Sequence, residues 1–201
     1  LVDNGSNDGS CAFVAARYPW VHLIELPENF GFCKAVNEGI RASRSPYVLL
    51  LNNDIEVTEN FIEEMLSAIK RHPKAFSCAA RMIQFHDRDR LDDAGNYYCA
   101  LGWAYARGKG KNIHTYEKEE KIFASCAGAA IYRKKIFDEL GYFDEEHFAY
   151  LEDMDVGYRA RIYGYENWYA PDAWYTMWEA VPADPDIISS RSGILPEIIF
   201  I

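Results

Sequence analysis

The stretch YVLLLNND, residues 47–54, decides the fold of this chain. Its five apolar or aromatic residues end abruptly in polar ones, which predicts a short β-strand buried on both faces of a sheet. Ligands of open α/β sheets bind at the carboxyl ends of such strands. Asn52, Asn53 and Asp54 are therefore expected at a ligand-binding edge, where the Asp54 carboxylate can hold Mg²⁺ or Mn²⁺. A simple strand-ending turn is the alternative reading.

Strand and helix signals alternate around this stretch. A strand is predicted at residues 21–26, with helices at 8–18 and 32–43 on either side of it. Beyond Thr58, which can cap the next helix, apolar side chains recur at helical spacing. Strands that alternate with helices predict a parallel sheet covered by helices.

The second half of the chain is less regular. A strand is predicted at residues 75–85 and a loop or irregular hairpin at 84–115. Small residues surround Gly128, as expected where a backbone approaches a ligand closely. Helices at 134–140 and 154–163 and a last strand at 166–170 complete the prediction.

Two polar loops follow the first two predicted strands. The first reads DNGSNDGS at residues 3–10, and the second reads NFGF at residues 29–32, with Asn37 further along. Because both loops hold the same position relative to a strand, we expect them to line a pocket at one edge of the sheet. A turn with a helix cap is the alternative for the first loop.

A second acidic cluster, Glu152-Asp153-Met154-Asp155, precedes a predicted helix. Its three carboxylates lie within four residues and repel one another unless a cation or a proton is shared. Such crowding raises the pKa of one carboxyl toward the value that a general base needs. The alternative is a helix cap, because negative charge is also favoured at a helix N-terminus.

Composition sets limits on function. The length predicts one domain, and the formal net charge of −10 argues against binding to nucleic acid. The five cysteines include no CxxC pair, which argues against a zinc site or a disulfide framework and favours the reducing cytoplasm. No apolar run reaches the length of a membrane span, while peripheral membrane contact stays open.

Five motifs together resemble, in order and spacing, those of the family 2 glycosyltransferases, and most of all the bacterial rhamnosyltransferase-like subgroup. They are VDNGSNDGS, ENFGFCKAVNEGI, YVLLLNNDIEV, SCAGAAIYRKKIFDELGYFDEEHFAYLEDMDVGYRARIYGY and APDA. The resemblance implies the α/β GT-A fold, a Rossmann-like arrangement of three layers around a mostly parallel central sheet. Family members begin with a further strand and helix, so the family's first strand, which is central in the sheet, is expected to be missing here.

The resemblance also implies roles for single residues. Asp3 would contact the nucleotide base, and Asp54 would hold the metal ion that bridges the donor diphosphate. Asp153 would be the general base for the acceptor hydroxyl, with Glu152 beside it, in a reaction that inverts the anomeric centre. The other nucleotide-binding residues that the match implies are Asn4, Ser6, Asn29, Gly31, Phe32, Asn37, Asn52, Asn53 and Gly128.

These roles describe a metal-assisted inverting glycosyltransferase of cell-envelope polysaccharide synthesis. It would move a sugar from a UDP- or dTDP-linked donor to a glycan or lipid-linked acceptor, in the cytoplasm or at the inner face of the membrane. A truncated, non-catalytic domain that binds nucleotide sugars is the first alternative. A nucleotidyltransferase of similar α/β build is the second, although its basic, glycine-rich phosphate loop is not visible in the sequence.

After Ala173 the sequence departs from the family pattern, which divides the chain into a partial GT-A domain at residues 1–173 and an aberrant tail at 174–201. The family has a Val-Tyr-His segment there, whose histidine can complete the metal site, whereas this chain reads WYTMW at 174–178. A one-base frameshift explains the change. The codons of Met177, Trp178 and Glu179, read one base earlier, encode Val-Gly, and His is among the residues that can stand directly before that pair.

Overall fold

The computed structural model describes residues 1–177 and a strand at 198–200. The strands are β1 (Val2–Asp3), β2 (Ile24–Glu25), β3 (Tyr47–Asn52), β4 (Ile55–Val57), β5 (Ala75–Gln84), β6 (Leu91–Asp93), β7 (Asn96–Tyr98), β8 (Ala104–Ala106), β9 (Glu120–Ile122), β10 (Ala129–Arg133), β11 (Glu166–Met177) and β12 (Ile198–Phe200). The helices are α1 (Ser10–Arg17), α2 (Phe32–Ala42), α3 (Phe61–Arg71), α4 (Lys134–Leu140) and α5 (Glu152–Ile162). Most of the tail to which the frameshift hypothesis applies, residues 178–197 and 201, lies outside the described residues.

The main sheet is mixed, so the expectation of a mostly parallel sheet is wrong. Its strand order is β2-β1-β12-β3-β10-β5-β11-β4. In this order β1–β2 and β5–β11 are parallel neighbours, and the remaining described neighbours are antiparallel. The strands joined by helices do run in one direction, as predicted. However, β10 and β12 run the opposite way and lie between them, which a local sequence pattern cannot show.

Two apolar cores, one on each face of the sheet, confirm the layered α/β architecture. On β3, Val48 and Leu50 face the core formed with α2, α4 and α5, while Leu49 and Leu51 face the core formed with α3. This alternation has the period of two that a strand requires. Residues 47–52 therefore form a strand that is buried on both faces, as predicted.

Two segments are more regular than the sequence indicated. The loop or irregular hairpin predicted at 84–115 contains β6 and a separate two-stranded hairpin, β7–β8. The last described strand of the domain is also longer than predicted, because β11 continues past Ala170 to Met177 with a register shift before Trp174. Residues 174–177 therefore belong to the sheet, where they pair with β4 and β5.

Candidate functional site

A cavity of about 620 Å³ lies at the carboxyl end of β3, beside the first turn of α5. It brings together side chains from the two acidic clusters that the sequence singled out, although about a hundred residues separate them along the chain. The predicted site residues that line the cavity are Phe32, Asn52, Asp54, Gly128, Glu152 and Asp153.

One wall of the cavity is formed where β3 ends. The Asn52 amide donates a hydrogen bond to the Gly128 carbonyl, at 2.9 Å, and the Asn52 Oδ1 atom is buried with no hydrogen-bond partner among the described residues. A Cβ atom at Gly128 would lie 3.4 Å from Asn52 Nδ2 and 3.0 Å from Met177 Cε. Glycine thus keeps this wall open. Asp54 is exposed at the rim of the cavity, and desolvation by partial burial raises its pKa.

The residues at this wall fit a hard divalent cation that takes most of its ligands from elsewhere. Asp54 supplies a carboxylate and Asn52 an oxygen without a partner, and oxygen atoms are what Mg²⁺ and Mn²⁺ prefer. Within the described ranges, no cluster of three or more His, Cys, Asp or Glu side chains could hold a metal ion. Phosphate oxygens of a ligand and water would therefore have to complete the coordination.

The opposite wall is the first turn of α5. Burial raises the pKa of Asp153, while the Met154 amide, which donates to Asp153 Oδ1 at 2.7 Å, acts in the opposite direction. Burial also raises the pKa of Glu152, and the charge of Asp153 adds to the effect. The Glu152 Oε2 atom is buried without a partner among the described residues. A raised carboxyl pKa suits a general base, because it strengthens proton affinity near neutral pH.

The backbone just before α5 is strained. Tyr150 and Leu151 have φ angles of +74° and +68°, a region that bulky side chains rarely adopt. Such strain costs on the order of 1–3 kcal/mol per residue and persists where the surroundings hold it in place. Arg159, further along the same helix, pairs with Asp155 at 2.6 Å and donates to the Leu140 carbonyl at 2.7 Å, which joins α5 to the end of α4.

The two polar loops predicted from the sequence meet beside the cavity. Asn4 Nδ2 donates to Asn29 Oδ1 at 3.0 Å and to the Gly31 carbonyl at 3.1 Å, which joins the loops. Asp3 is buried, and its Oδ2 atom accepts the amides of Gly5 and Ser6. Its Oδ1 atom is buried with no partner in the described part of the chain. Asp3 therefore keeps one acceptor atom available for a ligand.

One predicted site residue lies away from both the cavity and the two loops. Asn37 is buried on α2, where its Nδ2 donates to the Phe143 carbonyl at 2.8 Å and to Glu145 at 2.9 Å, and its Oδ1 accepts the Phe143 amide. These contacts join α2 to the segment that leads to α5, and a nucleotide-binding role for Asn37 stays a prediction. The other predicted site residues that do not line the cavity are Asp3, Asn4, Ser6, Asn29, Gly31 and Asn53.

Sequence reasoning missed one whole wall of the cavity. The β7–β8 hairpin contributes Asn96 and residues 104–106, and the strained segment before α5 contributes Tyr150 and Leu151. The signal that could have found the hairpin is the density of aromatic residues in NYYCALGWAY, residues 96–105. Met82 and Met177 were also missed, because an apolar residue on a strand reads as core.

The electrostatics of the cavity are one-sided. Three carboxylates, those of Asp54, Glu152 and Asp153, line it, and no Lys, Arg or His side chain from the described residues does. A negatively charged ligand such as a diphosphate would therefore be repelled unless a cation entered with it.

Comparisons with known proteins identify a family. The sequence model of the family described as Glycosyl transferase family 2 matches residues 1–141. The N-acetylglucosaminyl-diphospho-decaprenol L-rhamnosyltransferase of Mycobacterium tuberculosis is 28% identical over 86% of this chain. The low-salt glycan biosynthesis hexosyltransferase Agl10 of Haloferax volcanii is 26% identical over 80% of it. This chain spans 64% and 52% of the lengths of those two relatives.

Two solved structures share the fold. A crystal structure of GalNAc-T7 with UDP, GalNAc and Mn²⁺ matches with a TM-score of 0.69 and 13% identity, covering 88% of this chain and 37% of its own. The mannosyltransferase PcManGT from Pyrobaculum calidifontis, in complex with GDP-Man and Mn²⁺, matches with a TM-score of 0.63 and 16% identity, covering 92% and 48%. Both matches support an α/β GT-A-like fold for this chain.

Proposed function

The chain belongs to glycosyltransferase family 2, and we propose that it is a metal-assisted inverting transferase. It would move a sugar from a nucleoside-diphosphate donor to a hydroxyl group of a glycan or a lipid-linked acceptor. The observation that carries this proposal is that Asp54 and Asp153, from two distant acidic clusters, line one cavity. The mycobacterial relative, named as a rhamnosyltransferase acting on a diphospho-decaprenol-linked sugar, supports an acceptor of that class.

Asp153 is the general base of this proposal. Its carboxylate takes the proton of the acceptor hydroxyl, whose oxygen forms a bond to the anomeric carbon of the donor. The bond from that carbon to the diphosphate oxygen breaks, and its electron pair leaves with the nucleoside diphosphate. Since the acceptor attacks from the face opposite the leaving group, the anomeric configuration inverts. Burial of Asp153, which raises its pKa, favours the proton transfer.

Donor binding would fall to the other side of the cavity. Asp54 and Asn52 would hold Mg²⁺ or Mn²⁺ with the diphosphate, and the bound cation would stabilise the charge that grows on the leaving phosphate. Asp3, with its free Oδ1 atom, and the joined loops around Asn4, Asn29 and Gly31 would receive the nucleoside. UDP, dTDP and GDP are the candidates, since the structural neighbours contain UDP or GDP-Man.

The experiment combines binding, turnover and stereochemistry. UDP, dTDP and GDP are titrated into the chain by calorimetry with and without Mn²⁺, and donor hydrolysis is measured for the matching nucleotide sugars. Asp153→Asn is compared with Asp172→Asn, which changes an exposed carboxylate outside the cavity. The proposal expects Mn²⁺-dependent binding, and a loss of turnover on the order of 10²-fold or more in Asp153→Asn but not in Asp172→Asn.

Each rival gives a different result. Binding without turnover would favour the truncated, non-catalytic domain that binds nucleotide sugars. Release of pyrophosphate would favour a nucleotidyltransferase. Turnover that survives Asp153→Asn would remove the base assignment, and proton NMR of the product that shows retained configuration would overturn the inverting mechanism. Neither rival accounts for the joint placement of Asp54 and Asp153 as directly as sugar transfer does.

The domain boundary and the location of the protein remain part of the proposal. We place the transferase domain at residues 1–173 and an altered tail after it, although β11 crosses that boundary as one continuous strand. Sequencing the gene tests the frameshift. If the bases after the Ala173 codon cannot encode His-Val-Gly in the neighbouring frame, the frameshift hypothesis is wrong.

The cysteines are free thiols, which agrees with a cytoplasmic location. None of the described helices is long and apolar enough to cross a bilayer.

A further inference from the structure

A second hollow, which we call the aromatic groove, opens beside the donor cavity. It encloses about 440 Å³, and four aromatic side chains form its walls: Tyr98, Trp103, Phe123 and Tyr158. Trp103 is 71% exposed and Tyr158 is 51% exposed. Large aromatic side chains exposed together at one place usually mark a binding site.

We propose that the aromatic groove binds the acceptor through its carbohydrate, whose sugar rings stack on these aromatic faces. This inference rests on the proposed glycosyl transfer and adds to it the site and chemical class of the second substrate. The C–H face of a pyranose ring is apolar and slightly electropositive, so that it complements the negative face of an aromatic ring. The hydroxyl groups of the sugar then point outward to water and to polar neighbours.

The rings of the groove stack on one another. The centroids of Tyr98 and Phe123 lie 5.0 Å apart with 25° between their planes, and Phe123 and Tyr158 lie 5.8 Å apart at 19°. This stack fixes Tyr98 and Tyr158, whose side chains are 46% and 51% exposed and so remain available to a ligand. The tip of the β7–β8 hairpin adds the exposed Trp103, whose carbonyl accepts the Cys99 amide.

The groove is continuous with the donor cavity. Ala104, Leu151 and Met154 line both hollows, so they form the partition between them. On α5, Met154, Asp155 and Tyr158 line the groove and lie on one stripe of the helix, whereas Asp153 faces the donor cavity. Asp153 and Tyr158 are five residues apart, about 7.5 Å along the helix axis. Because Leu151 and Met154 line both hollows, a sugar stacked at Tyr158 lies next to the cavity that holds the proposed base.

The charges near the groove favour a sugar over a phospholipid surface. The charged side chain that lines it is Asp155, a carboxylate. Among the described residues no Lys, Arg or His lines the groove, although the Arg161 guanidinium packs over the Phe123 ring at 5.0 Å from its centroid. With a chain charge of −10, an anionic membrane surface would be repelled. A neutral, hydroxyl-rich ligand is not repelled, and Asp155 can accept its hydrogen bonds.

The test measures glycan binding directly. The full chain is applied to an array of defined oligosaccharides, and the strongest hit is titrated against the wild type, Trp103→Ala and Tyr158→Ala. The control is Trp20→Ala, which removes a similarly exposed tryptophan that lines neither hollow. Loss of one stacked ring is expected to weaken glycan binding about tenfold, Trp20→Ala is expected to leave it unchanged, and Tyr158→Phe is expected to keep it.

Several results would overturn the inference. The first is that no glycan on the array binds. The second is that Trp103→Ala and Tyr158→Ala bind the glycan as tightly as the wild type does. The third is that Tyr158→Phe loses as much affinity as Tyr158→Ala. Binding of the wild type to phosphatidylglycerol vesicles that the two alanine variants abolish would assign the groove to a membrane instead. Failure of the proposed function is seen separately, as a wild type that binds no nucleoside diphosphate with Mn²⁺.

Discussion

Gly31→Ala is the substitution that best tests how the fold positions the proposed base. Gly31 adopts a φ of +86°, and a Cβ atom there would lie 2.7 Å from the Phe148 carbonyl oxygen and 2.9 Å from the Phe148 ring. The same carbonyl accepts the Phe32 amide at 2.8 Å. This contact ties the start of α2 to the segment that leads, five residues later, into Asp153.

The magnitude follows from separate terms. With a φ of +86° and a ψ of 169°, Gly31 lies in a region that is essentially restricted to glycine, and an alanine there costs on the order of 1–3 kcal/mol. The clash with backbone atoms adds about 1–3 kcal/mol, as for other overpacked sites, and a broken Phe32–Phe148 hydrogen bond adds about 1 kcal/mol. Gly164 provides a control for positive φ, because its φ is also +86° but a Cβ atom there would meet nothing within 4 Å. Gly164→Ala should therefore show the cost of a positive φ without the clash.

Two assays separate stability from positioning. In thermal unfolding, Gly31→Ala should melt about 5–10 °C below Gly164→Ala, since 1 kcal/mol corresponds to roughly 2–4 °C for a chain of this size. In a transferase assay below both melting temperatures, kcat of Gly31→Ala should fall by up to about 10²-fold, because a shift of 1 Å in a catalytic group can cost that much. Gly164→Ala should keep its kcat.

Either of two results would refute the reasoning. Equal melting temperatures of the two variants would mean that the close approach of Gly31 to Phe148 adds no measurable destabilisation when a Cβ atom is introduced. A lower melting temperature with an intact kcat would mean that the contact stabilises the fold but does not position Asp153.

Three further predictions concern single residues. Met177→His should strengthen Mn²⁺ binding on the order of tenfold, because residue 177 lines the cavity and pairs with Ile55, beside Asp54. The affinity is measured by calorimetry with UDP. An equal gain in Trp174→His, on the same strand, would contradict this prediction. Burial raises the pKa of Asp93 to about 7. The folded chain therefore keeps a proton that the unfolded chain releases near the ordinary pKa of 3.8. As the pH rises between those two values, the free energy of unfolding falls by roughly 1.4 kcal/mol per pH unit. Asp93→Asn should abolish this slope in urea unfolding at pH 5 and pH 7, and an unchanged slope would refute the assignment. Asn37→Ala should cost about 2–3 kcal/mol through its lost hydrogen bonds, and a smaller loss in urea unfolding would show that water replaces them.

The parts of the fold that could be predicted are those written in local patterns. The alternation of Val48 and Leu50 with Leu49 and Leu51 specifies a strand with two buried faces, and the apolar spacing after Thr58 specifies α3. The direction of β10 could not be predicted, because it depends on pairing with β3 and β5, strands that are distant along the chain. A local pattern carries no information about which strands become neighbours.

The site divides in the same way. Asp54 and Asp153 could be singled out as candidates because one follows a buried strand directly and the other belongs to three carboxylates within four residues, which repel one another unless a cation or a proton is shared. The contacts of Asn37 could not be predicted from its sequence position, since its partner Phe143 is 106 residues away. The hairpin wall was missed because exposed aromatic residues in a loop have no period that marks them as a binding surface.

The two acidic clusters share a cavity in which no cationic side chain of the described residues balances their charge. Asp54, Glu152 and Asp153 line a cavity to which the described residues contribute no cationic side chain, so their charges oppose both each other and an incoming diphosphate. A cation at the exposed Asp54 would remove that opposition on the donor side only. The half-buried Asp153, on the α5 wall of the donor cavity, would keep its raised pKa and its affinity for a proton. The separation between an exposed carboxylate at the rim and a half-buried one on α5 is therefore what would allow one acidic cavity to serve both a charged donor and a neutral acceptor.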